Sequence, residues 1–135
     1  MRTSTRALVR SRAARRCEYC RLHEDDLPLF PFHIEHIIAR KHGGTDDPDN
    51  LAWSCHHCNL AKSSNLRGID PVRGRIVALF NPRQQGWKRN FQWNGSLLVG
   101  RTACGRATVA VLNINAPQRL DLRDLLIGGG LFPPE

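Results

Sequence analysis

Two stretches of this chain carry side chains able to bind metal or move protons. The first is a pair of C-x-x-C knuckles, Cys17-Glu-Tyr-Cys20 and Cys55-His-His-Cys58, with 34 residues between them. Two intervening residues let both sulfurs of a knuckle turn toward one ion. Four thiolates then complete the tetrahedral shell that Zn²⁺ prefers. Disulfides are the alternative, disfavoured in a cytoplasmic protein, and a redox site usually has one such knuckle rather than two. His56 and His57 are conceivable substitute ligands, better read as surface or phosphate-facing with four thiolates at hand. Cys104 has no partner left and reads as a small packed residue.

The second stretch lies inside that clasp: His33-Ile-Glu35-His36, then Asn50, then Asn59 and Lys62. In-line phosphodiester hydrolysis needs a deprotonated water, neutralised phosphate charge and help for the leaving oxygen. A histidine can take a proton near neutral pH. A carboxylate and an amide oxygen suit Mg²⁺, which keeps several waters and can act as a Lewis acid on phosphate. Taken singly, each residue has a plainer reading: a packed histidine, a surface glutamate, a helix-capping asparagine.

The elements that must hold these groups are legible in outline. Thr5 to Arg16 reads as a helix, and a strand begins near Phe32, after the prolines of Leu27–Phe32. Lys41 to Asp49 is a turn-rich loop, Leu51 to Trp53 a short strand, and a helix runs from about Cys58 to Ser64. That order is a ββα unit wrapped around its metal, and with few large aliphatic residues in the clasped loop, a metal staple compensates for a thin core. Beyond Pro71, Arg75 to Leu79 looks like a strand and Phe80 to Trp87 like an ordered loop. Asn94-Gly95 predicts a type I′ hairpin turn between Phe91–Trp93 and Ser96–Val99. Thr102 is placed to cap a helix over Ala103–Asn113, and Pro117 to open a last one reaching Ile127. The expected organisation is a basic helix over 1–16, a zinc-stapled core over 17–70, an extension packed on it over 71–127 and a flexible tail over 128–135.

With 135 residues, 41% of them hydrophobic, the chain has room for one modest domain or two small ones and is too apolar for disorder. No apolar run approaches the ~20 residues of a membrane span, and no secretory leader is evident, so a cytoplasmic location without membrane association is expected. Net charge is +8, and 17 of the 20 cations are arginine. Arg2, Arg6, Arg10, Arg12, Arg15 and Arg16 precede the first cysteine with no acidic residue among them. Such a run is a solvated helix face or, more sharply, an arm that displaces counterions from a nucleic acid.

Residues 17–65 resemble the HNH endonuclease family in the order Glu35-His36, Gly43-Gly44, Asn50-Leu51, Cys55-His-His-Cys58-Asn59 and Lys62. The segment departs from the usual pattern in carrying Glu35 where aspartate is common, and Asn59 closes it as the H-N-N variant. The later Leu79-Phe-Asn-Pro-Arg83, Trp87 and Gly105-Arg-Ala-Thr108 resemble the extension of small stand-alone bacterial members. The resemblance implies an α+β fold: a ββα-metal nuclease core stapled by the four-cysteine zinc site, with an N-terminal helix and a C-terminal hairpin-plus-helices extension.

It further implies a metal-dependent DNA endonuclease. His36 is then the general base, Glu35 and Asn59 hold a catalytic Mg²⁺ or Mn²⁺, Asn50 fixes the loop that aims His36, and Lys62 contacts phosphate. His33 is open between a further ligand and a supporting role. Arg12, Arg15, Arg16 and Arg40 are the candidate DNA contacts, double-stranded DNA is the partner, and monomer and homodimer both stay open. The resemblance implies a site that cuts one strand, so nicking and paired nicking by two protomers both stay open, and it implies 5′-phosphate and 3′-hydroxyl products. A zinc-containing binding module without catalysis and an RNA nuclease are the competing readings.

Overall fold

In the computed structural model, which describes residues 1–134, the chain forms two units: residues 1–66 with 81–85, and residues 67–80 with 86–134. Both mix helices with short antiparallel strands, so the fold class is α+β.

The first unit opens with helix α1 (Thr3–Arg12). The expectation that it runs to Arg16 fails because Ala14 and Arg15 turn left-handed, at φ 52° and 61°. Neither residue is glycine, so this conformation costs about 1–2 kcal/mol at each. The reversal delivers Arg16 to an antiparallel bridge with His23, and Cys17 N–H donates to Leu22 O at 2.9 Å, closing the first knuckle. Strand β1 (His33–His36) then pairs antiparallel with β2 (Leu51–Ser54), in the register His33–Ser54 and His36–Leu51. All four β2 residues are buried, with α1 packed against the strand and Val9 in the interface. Helix α2 (His56–Lys62) follows directly, two residues ahead of the expected start, because Cys55 itself caps it. Alternation puts Ile34 and His36 on one face of β1, and His33 and Glu35 on the other.

The second unit pairs β3 (Arg67–Ile69) with β4 (Ile76–Ala78) in a hairpin of which only the second strand was expected. A one-turn helix α3 (Trp87–Asn90) leads into the hairpin β5 (Phe91–Asn94) and β6 (Leu97–Gly100). Its turn is centred on Gly95-Ser96, one residue later than predicted. Only Gly95 is left-handed, at φ 60°, which is the II′ pattern that needs glycine first. Helix α4 (Ala103–Val111) is capped by Thr102, whose hydroxyl accepts from Gly105 N–H at 3.0 Å. Helix α5 (Pro117–Gly128) completes the unit. Its core gathers Phe80, Phe91, Leu98, Leu112 and Ile114 with the fully buried Arg123, which donates to Ser96 O and Ile114 O. Of the segment expected as a tail, Phe132 is buried edge-on to Trp93, and Glu135 lies outside the described residues. No described helix is long and apolar enough to cross a membrane.

Candidate metal centre and histidine cleft

The four knuckle cysteines converge. Their sulfurs lie within 4.8 Å of one another, all are buried, and none is in a disulfide. Cys20 Sγ and Cys55 Sγ are 3.8 Å apart. A tetrahedral ion with Zn–S bonds of 2.3 Å spaces its sulfurs by about 3.8 Å, so the donor set fits. Cys20 N–H and Cys58 N–H donate to Cys17 Sγ and Cys55 Sγ at 3.5 and 3.4 Å, a pattern that stabilises thiolates. Burial raises the Cys17 thiol, but hydrogen bonds from its three neighbours outweigh it and leave Cys17 well below the ordinary thiol value. The cluster could hold a metal such as zinc, joining the turn after α1 to the start of α2.

At the N-terminal end of α1 an open cleft of about 430 Å³ is lined by Arg2, Thr3, Arg6, His33, Ile34, His36 and Arg40. It contains two histidines and three arginines and no carboxylate along its walls. His36 Nε2 meets Asp46 Oδ1 at 2.7 Å, and Arg40 grips both oxygens of the same carboxylate at 2.8 and 3.1 Å. Those hydrogen bonds, from His36 first and then Arg40, hold the Asp46 carboxyl below its usual range.

Asn50 straps this loop. Its side-chain oxygen accepts from Ile38 N–H at 2.9 Å, while Nδ2 donates to Ile38 O and Thr45 O at 3.0 and 2.8 Å. One amide thus ties the backbone two residues beyond His36 to the residue before Asp46. Gly44 makes room for the strap: a Cβ there would fall 1.6 Å from Ile38 O.

On the opposite face of β1 the geometry departs from expectation. Glu35 is 4% exposed, its Oε2 accepts the Tyr19 hydroxyl at 2.5 Å, and Lys62 Nζ lies 2.6 Å from its Oε1. Lys62, itself 2% exposed, also donates to Ile37 O at 3.0 Å. Burial raises the Glu35 carboxyl above its ordinary value, opposed by the Lys62 charge and by its hydrogen bonds. Mg²⁺ keeps several waters when bound to protein, and this enclosed carboxylate, already facing an ammonium, has no room for it. The residues therefore do not fit a Glu35–Asn59 magnesium site. Glu35 is the counter-ion of Lys62, and Lys62 is buried against it and Ile37 O rather than exposed on the surface. Asn59 is half-buried on α2, one turn after His56.

Between these two regions His33 Nε2 meets His56 Nδ1 at 2.9 Å. Burial, then the neighbouring charges of His56 and Arg6, lowers the pKa of His33 and favours the neutral ring.

Of the candidate DNA contacts, only Arg40 lies on the cleft. Arg12 donates to Pro48 O and Leu51 O at 2.6 and 2.5 Å, and Arg16 donates to Arg21 O at 2.8 Å, so both hold backbone together. Arg15 sits in the left-handed turn. Sequence reasoning missed Arg2 and Arg6 as cleft residues, although their four-residue spacing across the start of α1 was a usable signal. It also missed Asp46, ten residues from His36 in a loop without periodicity.

No curated protein and no solved structure matches the chain. Residues 17–65, which carry both knuckles, β1, β2 and α2, match the family model of the HNH endonucleases, and that match supports a nuclease-type function.

Proposed function

We propose that the chain is an endonuclease hydrolysing phosphodiester bonds in double-stranded DNA, with His36 as general base and Zn²⁺ as the structural ion of the cysteine cluster. The observation that carries this reading is the shared cleft: His36, oriented by a carboxylate, opens onto the same space as Arg2, Arg6 and Arg40. With its Nε2–H donated to Asp46, the His36 ring has Nδ1 left to take a proton from water. The nearby carboxylate then stabilises the imidazolium that forms. Arginine guanidinium groups bind phosphate oxygens by paired, charge-assisted hydrogen bonds, which places the scissile phosphate beside the base. Asn50 keeps His36 and Asp46 in register, and the zinc clasp ties the turn after α1 to the start of α2.

The test is incubation of the zinc-loaded chain with duplex DNA and duplex RNA of one sequence, in Mg²⁺ or Mn²⁺. Cut DNA strands bearing 5′-phosphates are expected. Cleavage of RNA alone would overturn the substrate assignment. Binding without cleavage of either would leave a zinc-containing binding module.

A further inference from the structure

We propose that the β3–β4 hairpin of the second unit is a DNA-contacting ribbon. It sets Arg67, Arg73 and Arg75 on backbone phosphates, and Ile69, Val72 and Ile76 against the apolar sugar walls of the minor groove. One face of the hairpin is already covered. A Cβ on Gly68 would fall 2.5 Å from Val111 Cγ2, so β3 lies on α4 with its Gly68 side inward. Gly68 pairs with Val77, and alternation turns their neighbours to the other face: Arg67 and Ile69 on β3, Ile76 and Ala78 on β4. All four are exposed. Ile69 and Ile76 are direct cross-strand partners, 59% and 65% exposed, and Val72 in the connecting turn is 72% exposed. Three β-branched apolar side chains on one short hairpin form a patch, and a patch rimmed by polar groups marks an interaction surface.

The rim of this patch is cationic, with nothing to offset it. Arg67, Arg73 and Arg75 are exposed and make no ion pair among the described residues. Asp70, the one carboxylate of the hairpin, is fully buried and accepts from Arg106 Nε and Nη2 of α4, both at 2.8 Å. The same carboxylate accepts Val72 N–H at 3.0 Å, while the Asp70 backbone donates to Arg75 O and accepts from Gly74 N–H. The acid is thus spent on fixing the turn to α4. Arg73, Arg75 and Val72 are held on a turn ordered before any partner arrives, which lowers the entropy cost of binding.

Charge selects the occupant. A second copy docked on this face through a two-fold axis would set the three arginines against themselves. A duplex instead offers a dense row of phosphates with apolar deoxyribose between them. A two-stranded ribbon fits a DNA groove, and apolar side chains flanked by arginine are the means by which minor-groove binders grip and bend the duplex. The choice of DNA over an anionic lipid surface rests on the nuclease reading and the family match that supports it.

The experiment is binding of the full-length zinc-loaded chain to a short fluorescent DNA duplex over a range of salt, with no divalent ion added. Wild type is compared with the triple variant Arg67→Gln/Arg73→Gln/Arg75→Gln and with Ile69→Thr/Ile76→Thr, which keeps β-branched residues in both strands. Arg16→Gln, whose guanidinium is tied to Arg21 O, is the control, and all are matched in zinc content and far-UV spectrum. The triple variant is expected to lower the slope of log K against log salt by about 2–3, at ~0.9 per phosphate contact. The isoleucine variant is expected to bind about tenfold more weakly at every salt, with the slope unchanged. Wild-type slope and affinity in both hairpin variants would overturn the ribbon. So would a wild-type dimer that both variants turn into monomer, or hairpin variants that lose binding to phosphatidylglycerol vesicles and keep binding to DNA. Plasmid cleavage in Mg²⁺ is scored separately. Weakened DNA binding in the hairpin variants, with no cutting by wild type, supports the ribbon and counts against the nuclease reading alone. Cutting by wild type, with unaltered DNA binding in the hairpin variants, counts against the ribbon alone.

Discussion

Removal of Lys62 gives the sharpest test of how β1 is built. Lys62→Met deletes an ammonium 2.6 Å from a carboxylate that is 4% exposed, leaving Glu35 with the Tyr19 hydroxyl as its remaining named partner. Breaking a buried pair from one side costs about 3–5 kcal/mol. The glutamate has an escape, which is to bind a proton. With an unfolded-state pKa near 4.3, that escape costs about 3.7 kcal/mol at pH 7 and about 1 kcal/mol at pH 5. The charge penalty in the variant is therefore capped by protonation, and the cap falls with pH.

The sign follows from the raised pKa of Glu35 in the fold. A raised carboxyl favours the folded state most below its unfolded value, and that contribution is lost as pH climbs through the folded one. Lys62→Met raises the folded value further, so the deficit should grow by up to ~1.4 kcal/mol per pH unit between pH 5 and 7. Urea unfolding at pH 5, 6 and 7 measures it, with free zinc held constant because ligand binding shifts apparent stability. The double variant Glu35→Gln/Lys62→Met should lose the pH dependence and regain most of the stability. A deficit below ~1 kcal/mol at pH 7, or one independent of pH, would refute the buried pair.

Three further outcomes are expected. Zinc chelation should abolish the far-UV signal of the first unit and release one ion per chain, because the cysteine cluster closes a long loop over few aliphatic contacts. Arg2→Ala and Arg6→Ala should each lower DNA affinity and reduce the slope of log K against log salt by about 0.9, whereas Arg16→Ala, tied to Arg21 O, should leave the slope unchanged. Asp70 is held well below the usual carboxylate range, by the Arg106 hydrogen bonds first. Its contribution should be present above about pH 4 and fade as pH falls through the folded value, so Asp70→Asn should destabilise the second unit at pH 7 and match wild type at acid pH in urea unfolding.

What could be read from the sequence follows from how local each signal is. The knuckles are legible because each pair of ligands is three residues apart and needs no tertiary information to point at one ion. Asn50 and the Gly43-Gly44 loop were visible as a turn, although the three hydrogen bonds that make Asn50 a strap depend on backbone at Ile38, twelve residues away, and at Thr45, five away across the loop. Glu35 was misread for a definite reason. Alternation along His33-Ile-Glu-His36 sorts the side chains onto two faces but does not say which face α2 covers, and α2 covers the face that holds Glu35. The early end of α1 was hidden as well, since Ala14 and Arg15 carry none of the glycine or proline that announces a left-handed stop. The β5–β6 turn was displaced by one residue because Asn94-Gly95 and Gly95-Ser96 are both acceptable turn pairs, and the register of Asn94 with Leu97 decides between them.

The measurement that bears most directly on the proposed function is conversion of supercoiled plasmid by wild type and by His36→Ala, at equal zinc content and equal DNA affinity. The cleft geometry predicts that the variant binds plasmid as wild type does and cuts it ~10²–10⁴-fold more slowly. Equal cutting by the two proteins would contradict His36 as the base.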